Sequence, residues 1–461
     1  MTTYSAVVTT GIYCRPGCGA KPLAENVRTF ELAAAAEAQG FRACLRCRPY
    51  RIAGPADSSA PELVCRAVRL VLAGALDDGT EETLAAGLGI SPRHLRRLFN
   101  DHLGATPDQL ARSRRAHFAR RLLDDSDLSV TEIAFASGFG SLRQFNRAMH
   151  EVFRATPKEL RGRRRRSDRL VTDGGLAMRL PFSAPFDWDG IAAFLAERAV
   201  PGVESVANGV YRRTISLDGA PGVLEVEAGG ADYLLFRAHL PYWEGLIHVV
   251  ERVTRMAGID TDISPAVSLL ANDPTIGALV SARPGVRVPG AWGPFEAAVH
   301  AITAQGRSLT DARDRTGALV RAFGEPVPGL AHGLTHLFPS AEALAKADVA
   351  TVDADAAEAL RELASRVVRG DVVLDGSVAL GDLTASLTSI PGVGANAAQQ
   401  IALRLGERDA FPEADPHVAI ALSDLKCAGR DVSASWRPWR AVAATHLATY
   451  GASRATLAAA R

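Results

Sequence analysis

From Pro61 to Leu160 apolar residues recur at i, i+3 and i+4, the spacing of amphipathic helices. The pattern occurs twice in similar form. "TLAAGLGISPRHLRRLFNDHLGATPDQL" and "SVTEIAFASGFGSLRQFNRAMHEVFRATPKEL" each read as helix, glycine turn and second helix. The second helices are predicted from Ser91 to about Asn100 and from Ser141 to about Phe153, with Gly89 and Gly138 in the turns and serine caps. Between Gly175 and about Gly290 short alternating runs such as "VLEVEAG" and "YLLFRAHL" predict strands, and "DWDGIAAFLAERA" a helix. From Trp292 onward helices return, punctuated by Gly and Pro. "GPADSSAP" (Gly54 to Pro61) and "RRRRSDRLVTDGG" (Arg163 to Gly175) have linker composition. The expected segments are 1–54, 61–165, 175–290 and 291–461. A chain of 461 residues has room for about three or four domains of ordinary size. The expected class is multidomain, mostly α with α+β parts.

Charge sharpens this picture. The net charge is only +1, yet Ser91 to Arg169 holds 18 Lys+Arg against 9 Asp+Glu, a local +9. A basic middle in a neutral chain points to nucleic acid; the plainer reading is a solvated helix face with a flexible basic tail. No basic start followed by an apolar run is present, and no stretch approaches a membrane span, so a soluble, cytoplasmic protein with no membrane partner is expected. Six cysteines in so long a chain argue against a disulfide framework. Cys65 and Cys427 stand alone in helical patterns and are expected as buried thiols.

The other four cysteines carry chemistry. Cys14 and Cys18 are spaced C-x3-C, then come 25 residues, then Cys44 and Cys47 as C-x2-C. Four thiolates so spaced can surround one tetrahedral Zn²⁺, structural at the least. Arg15, Arg42, Arg46 and Arg48 crowd the sulfurs and can grip phosphates. "TTGIYCRPGC", "ENVRTF" and "GFRACLRCRP" resemble the N-terminal domain of the bacterial Ada family, a small zinc-binding α+β domain, over Tyr4 to Tyr50. The resemblance implies that Cys14 takes a methyl group from a methylphosphotriester in DNA. Four thiolates on Zn²⁺ leave the site at −2; methylation lowers this to −1 and eases repulsion from the DNA backbone, so the modification is also a switch.

In the paired block, Arg93, Arg96 and Arg97 on one second helix, and Arg143, Gln144 and Asn146 on the other, can enter a major groove. "AFASGFGSLRQFNR" followed by "FRATPKELR" resembles the AraC/XylS DNA-binding domain, a paired helix-turn-helix bundle, over Leu63 to Arg161. This implies promoter DNA and RNA polymerase as partners, beside alkylated double-stranded DNA.

Near the C-terminus, "LTSIPGVGANAAQQIALRLG" has helix-hairpin-helix form. Gly392 and Gly394 allow the backbone to approach a DNA phosphate; the plainer reading is an ordinary glycine turn. "DAFPEADPHVAIAL" follows, with Asp415 at a helix start, then "WRPWRAVAATHLATY". This order is similar to the AlkA-type helix-hairpin-helix glycosylases over Gly175 to Arg461. It implies an N-terminal α+β subdomain and an all-α glycosylase domain. By that resemblance Asp415 is the catalytic carboxylate, otherwise a plain N-cap, and Trp439 is an aromatic wall of the base pocket. Relatives often place aromatics where this chain has Asn396 and Gln400, and strand-cleaving relatives place lysine at 396. The loop usually reading "GQQVS" is here "AQGRS" (Ala304 to Ser308). A "PCHR" core of guanine-oxygen methyltransferases is absent. The combined expectation is an alkylation-response protein: methyl acceptor on Zn²⁺, regulator, and monofunctional 3-methyladenine-type glycosylase. The rival is a regulator whose glycosylase-like half is a weak DNA-binding appendage.

Overall fold

The computed structural model describes residues 3–51, 60–172, 174–427, 429 and 431–459. Most of the Gly54–Pro61 linker therefore lies outside the described residues. The chain forms two compact units. The first comprises 1–183, 229–254 and 259–262, and the second 184–228, 255–258 and 263–461. The segment expected at 175–290 is thus divided between the two.

The first unit opens with β1 (Tyr4–Val7), β2 (Ile12–Cys14), β3 (Val27–Phe30) and β4 (Arg42–Ala43) in the order β3-β1-β2-β4. β2 pairs antiparallel with β1 and parallel with β4, which brings the two ends of the cysteine motif onto neighbouring strands. A short alanine-rich helix, α1 (Ala33–Ala38), crosses between β3 and β4.

Next come α2 (Glu62–Ala73), α3 (Glu81–Gly87), α4 (Pro92–Leu103), α5 (Pro107–Asp125), α6 (Val130–Ala136), α7 (Leu142–Phe153) and α8 (Pro157–Gly162). The duplicated pattern is visible as duplicated caps. Ser91 and Ser141 accept from the His94 and Gln144 amides at the starts of α4 and α7. α3, α5, α6 and α8 start in reciprocal capping boxes from Thr80, Thr106, Ser129 and Thr156. Each such cap is worth about 0.5–2 kcal/mol, enough to fix where short helices begin. Val64, Val68, Leu84, Leu95 and Phe99 fill the core of the first half. Ile133, Phe139, Phe145 and Met149 are likewise buried in the second. Cys65 and Cys427 are buried thiols.

The expected linker Arg163–Gly175 is fastened over much of its length. Arg164 and Arg169 pair with Asp127, the Arg165 amide donates to Asp168, and the Leu170 amide donates to the Asp125 carbonyl. Composition marks a stretch without repeating structure; it does not report that its arginines meet Asp127, just beyond the end of α5. After it, β5 (Leu176–Pro181) lies in the first unit.

The second unit contributes α9 (Trp188–Arg198), then β6 (Glu204–Ala207), β7 (Val210–Leu217) and β8 (Ala220–Ala228), an antiparallel meander. β9 (Tyr233–His239) returns to the first unit and pairs antiparallel with β5, and α10 (Leu246–Met256) follows. The remainder is helical: α11 (Ser264–Leu270), α12 (Gly277–Ala282), α13 (Pro294–Thr303), α14 (Leu309–Phe323), α15 (Ala341–Lys346), α16 (Ala357–Arg369), α17 (Leu380–Thr388), α18 (Ala395–Arg404), α19 (Pro416–Asp424) and α20 (Arg440–Ala459). One core packs α13, α16, α17 and α18 through Val299, Leu360, Leu387 and Ile401. Another joins α11, α12, α19 and α20 around Trp436. At Gly451 α20 meets the His417 carbonyl so closely that any Cβ would lie 1.9 Å from its oxygen. No helix among the described residues is long and apolar enough to cross a membrane.

Candidate active sites

Cys14 ends β2 and Cys44 follows β4; both are buried, while Cys18 and Cys47 lie at half-buried turns. All four sulfurs lie within 4.8 Å of one another. Sulfurs bound about 2.3 Å from a tetrahedral Zn²⁺ need that clustering. The donor set also needs the cation: as bare thiols, burial first and then the neighbouring sulfurs push Cys14 up, and Cys47 to about 12. Backbone amides of Arg46 and Cys47 donate toward Cys44, and that of Arg15 toward Cys47, and such donors favour thiolates. The cluster is a zinc site.

The expected arginines divide. Arg46 is exposed and Arg15 half-buried, on the rim of the cluster. Arg48 is not on a DNA face. It is buried, with φ +52°, and its Nη1 donates to Asp168 Oδ2 at 2.6 Å. The amide of Arg48 closes back onto the Cys44 carbonyl, and this turn directs the side chain inward.

On α4 and α7, Arg93, Arg96, Arg97, Arg143, Gln144 and Asn146 are all exposed. Leu95, Phe99, Phe145 and Met149 face inward and leave the polar stripe outside. Arg96 is tied to Glu81 and Arg97 to His94, whereas Arg143, Gln144 and Asn146 project from the first turns of α7.

Asp415 is the N-cap of α19. Its Oδ1 accepts the His417 amide at 2.9 Å and the Val418 amide at 3.2 Å, while Oδ2 accepts Gln400 Nε2 at 2.7 Å. The carboxylate is 6% exposed and lies where two cavities meet, since both are lined by Arg198, Gln400 and Asp415. One cavity, about 510 Å³, runs along α13 past Gln305, Gly306 and Arg307 to Asn396. The other, about 330 Å³, lies among α9, α19 and α20, and among the described residues Phe194 is the one Phe, Tyr or Trp lining it. No lysine lines either cavity among the described residues.

Three amides of α18 hold the Asp415 loop in place. Asn396 accepts the Ala414 amide at 3.1 Å, Gln399 accepts that of Phe411 at 2.9 Å, and Gln400 reaches the carboxylate itself. The hairpin is braced too. Gly392 has φ +82°, favourable only to glycine, and Gln305 bridges its carbonyl (2.9 Å) and the Gly394 amide (2.7 Å). The Gly394 N–H, in the turn expected to approach a phosphate, is therefore already bonded. Gln305, in the divergent "AQGRS" loop, occupies it.

Trp439 does not line either cavity. It is 6% exposed and packs in the core with Trp436, Val442 and Leu447, with Arg408 5.5 Å from its ring centroid. Residues that sequence reading missed surround the acid instead. Arg198 lies 3.9 Å and Arg404 5.0 Å from the Phe194 ring centroid, and Arg213 pairs with Glu296 at 2.8 Å. Burial, then Arg198 and Arg404, pushes His300 down to about 3, so this wall carries a neutral imidazole at physiological pH. The signal available in sequence was only the arginine ending the α9 pattern and that ending α18.

Comparison with known families follows the chain in order. The profile of the metal binding domain of Ada matches residues 2–50, a helix-turn-helix domain 84–163, and the AlkA N-terminal domain 177–293. A probable bifunctional transcriptional activator/DNA repair enzyme AlkA from Mycobacterium tuberculosis is 38% identical over 456 residues, 96% of this chain and 92% of the relative. DNA-3-methyladenine glycosylase 2 of Escherichia coli is 29% identical over 58% of this chain and 95% of its own length. A solved 3-methyladenine DNA-glycosylase from Archaeoglobus fulgidus shares the fold of the C-terminal part, with a TM-score of 0.51 at 20% identity, covering 59% of this chain and 98% of that one. With matched cysteines, paired helix-turn-helix elements and a glycosylase-like fold in one order, the chain belongs to the family of AlkA-type bifunctional transcriptional activator/DNA repair enzymes.

Proposed function

We propose that this chain joins methyl acceptance at Cys14, promoter binding, and excision of cationic alkylated purines of the 3-methyladenine type. It would act in the cytoplasm on genomic DNA, beside RNA polymerase when bound at a promoter. At the first site, zinc when bound keeps the sulfurs as thiolates at neutral pH. The Cys14 Sγ lone pair attacks the methyl carbon of a phosphotriester. A C–S bond forms, the C–O bond breaks, and its electron pair leaves on the phosphate oxygen as a restored diester anion.

Excision rests on one observation above all: Asp415 is sequestered at the meeting of two cavities, with its oxygens oriented by two amides and Gln400. A base reaches such a site only outside the stack. As the glycosidic C–N bond lengthens, its electrons go to the cationic base, and positive charge develops on the sugar. Asp415 stabilises that charge, and water completes hydrolysis: its oxygen bonds to the sugar carbon and its proton passes to the Asp415 carboxylate and on to solvent. The absence of lysine from the described cavity walls favours simple hydrolysis over a Schiff base that cuts the strand.

The test is release of methylated bases from alkylated duplex DNA. Asp415→Asn keeps an excellent N-cap, so thermal stability should change little, while base release should fall at least about 100-fold, the scale of losing one electrostatic stabiliser. Release at the wild-type rate contradicts the assignment, and a borohydride-trapped adduct contradicts the monofunctional reading.

A further inference from the structure

α18 carries two carboxamides one turn apart, Asn396 and Gln400, spaced i and i+4 so that they are neighbours on the helix surface. Both line the larger cavity together with Asp415, and all three belong to the second compact unit. Each amide has one end anchored and the other open. A carboxylate only accepts, so the Gln400 atom 2.7 Å from Asp415 Oδ2 is Nε2, and Oε1 is the open end. A backbone N–H only donates, so the Asn396 atom 3.1 Å from the Ala414 nitrogen is Oδ1, and Nδ2 is the open end. Among the described residues neither open end has a hydrogen-bond partner. Neither amide can flip without losing its anchor. The cavity wall therefore offers one acceptor and one donor in a fixed order, beside the carboxylate.

A donor beside an acceptor is the complement of a purine Watson–Crick edge, where an N–H lies next to a ring nitrogen or keto oxygen. We propose that Asn396 and Gln400 are the specificity-determining pair of the excision site, admitting alkylated purines whose Watson–Crick edge is intact. In 3-methyladenine the N6 amine donates to Gln400 Oε1 while N1 accepts from Asn396 Nδ2, and the methyl group lies on a different edge. In 1-methyladenine the methyl group occupies the Watson–Crick edge itself. The ring acceptor is lost, and Asn396 Nδ2 is left without a partner, which is what makes such a site reject an analogue. The inference rests on the proposed excision at Asp415 and adds which lesions enter. Stacking alone has no such preference, since both bases are cationic methyladenines with the same ring faces.

The experiment uses the full chain on duplex DNA carrying either 3-methyladenine or 1-methyladenine, and measures base release as acceleration over spontaneous loss. Wild type should favour 3-methyladenine at least about 100-fold, the scale on which a hydrogen-bonding site rejects a base lacking the bond. Asn396→Asp keeps the Ala414 bond but turns the open donor into an acceptor. Gln400→Met keeps the bulk and removes the open acceptor. Each should lower the preference at least about ten-fold, the worth of one hydrogen bond. Weaker support of Asp415 in these variants slows both bases alike, so the ratio, not the absolute rate, reports the edge. Thermal melts show which variants fold, and if one does not, the other decides. An unchanged ratio in a folded variant, or equal acceleration of both bases by wild type, overturns the pair as specificity determinants and leaves excision at Asp415 standing. Release of neither base by wild type overturns the excision reading and this inference with it.

Discussion

Asn396, Gln399 and Gln400 show what a single residue type conceals. At sequence level Asn396 and Gln400 register as missing aromatics; in the structure three amides on one helix fasten the loop that carries Asp415. Asp415 was legible as a helix cap, because a Pro-flanked aspartate before an apolar run has few other uses. Trp439 misled because order along the chain fixes only that it lies near the start of α20; which way it faces depends on Trp436 and α12. Arg48 misled in the same way, since a basic residue beside zinc ligands reads as solvent-facing until Asp124 and Asp168 are in place. His446 was invisible. It is buried in α20, and burial, then Arg283, pushes it down to about 4 against an ordinary 6.5. A histidine held neutral stabilises the fold fully above the unfolded value, and that contribution is lost as pH falls from about 6.5 to 4. Between pH 7 and 4, His446→Leu should therefore lose less stability than wild type, by an amount on the order of 2–3 kcal/mol. Denaturant melts of the pair across that range check it; parallel losses contradict the assignment.

At the scale of elements the sequence was most readable where local chemistry decides. α4 and α7 begin where Ser91 and Ser141 cap them, and α9 spans Trp188–Arg198 as its periodicity requires. The cysteine motif is legible because its spacing needs only short-range turns plus one parallel pairing of β2 with β4. Removing both ligands of the second turn, Cys44→Ser with Cys47→Ser, should drop bound zinc from one per chain to none. It should also loosen β1–β4 first, because so small a module folds largely through its metal. Elemental analysis with amide exchange over residues 3–51 checks this, and zinc retained at one per chain contradicts it. On α7, Arg143→Ala should cost about 1–3 kcal/mol of operator binding and relax preference at its base pair. If Arg143 instead meets a phosphate, the loss is uniform across sequences and the salt dependence shallows, which binding titrations on mutated operators at several salt concentrations distinguish.

For the whole molecule, the order of modules was legible but the way the chain partitions was not. Residues 229–254 and 259–262 belong with the N-terminal unit, although the former follow one stretch of the second and the latter two. Their place depends on the β5–β9 pairing and on contacts such as His248 with Asp77 at 2.9 Å, distant in sequence and carried by no motif. The central claim is that one chain holds two chemically independent repair centres. It is tested most directly by a single reaction on duplex DNA carrying both methylphosphotriesters and 3-methyladenine, read by mass spectrometry for methyl on the protein and free base in solution. Wild type should carry one methyl, on Cys14, and release 3-methyladenine repeatedly. Asp415→Asn should be methylated at Cys14 to the same extent and release almost no base, and Cys14→Ser should do the reverse. Methyl on Cys18 or Cys65, or undiminished base release by Asp415→Asn, would contradict the account.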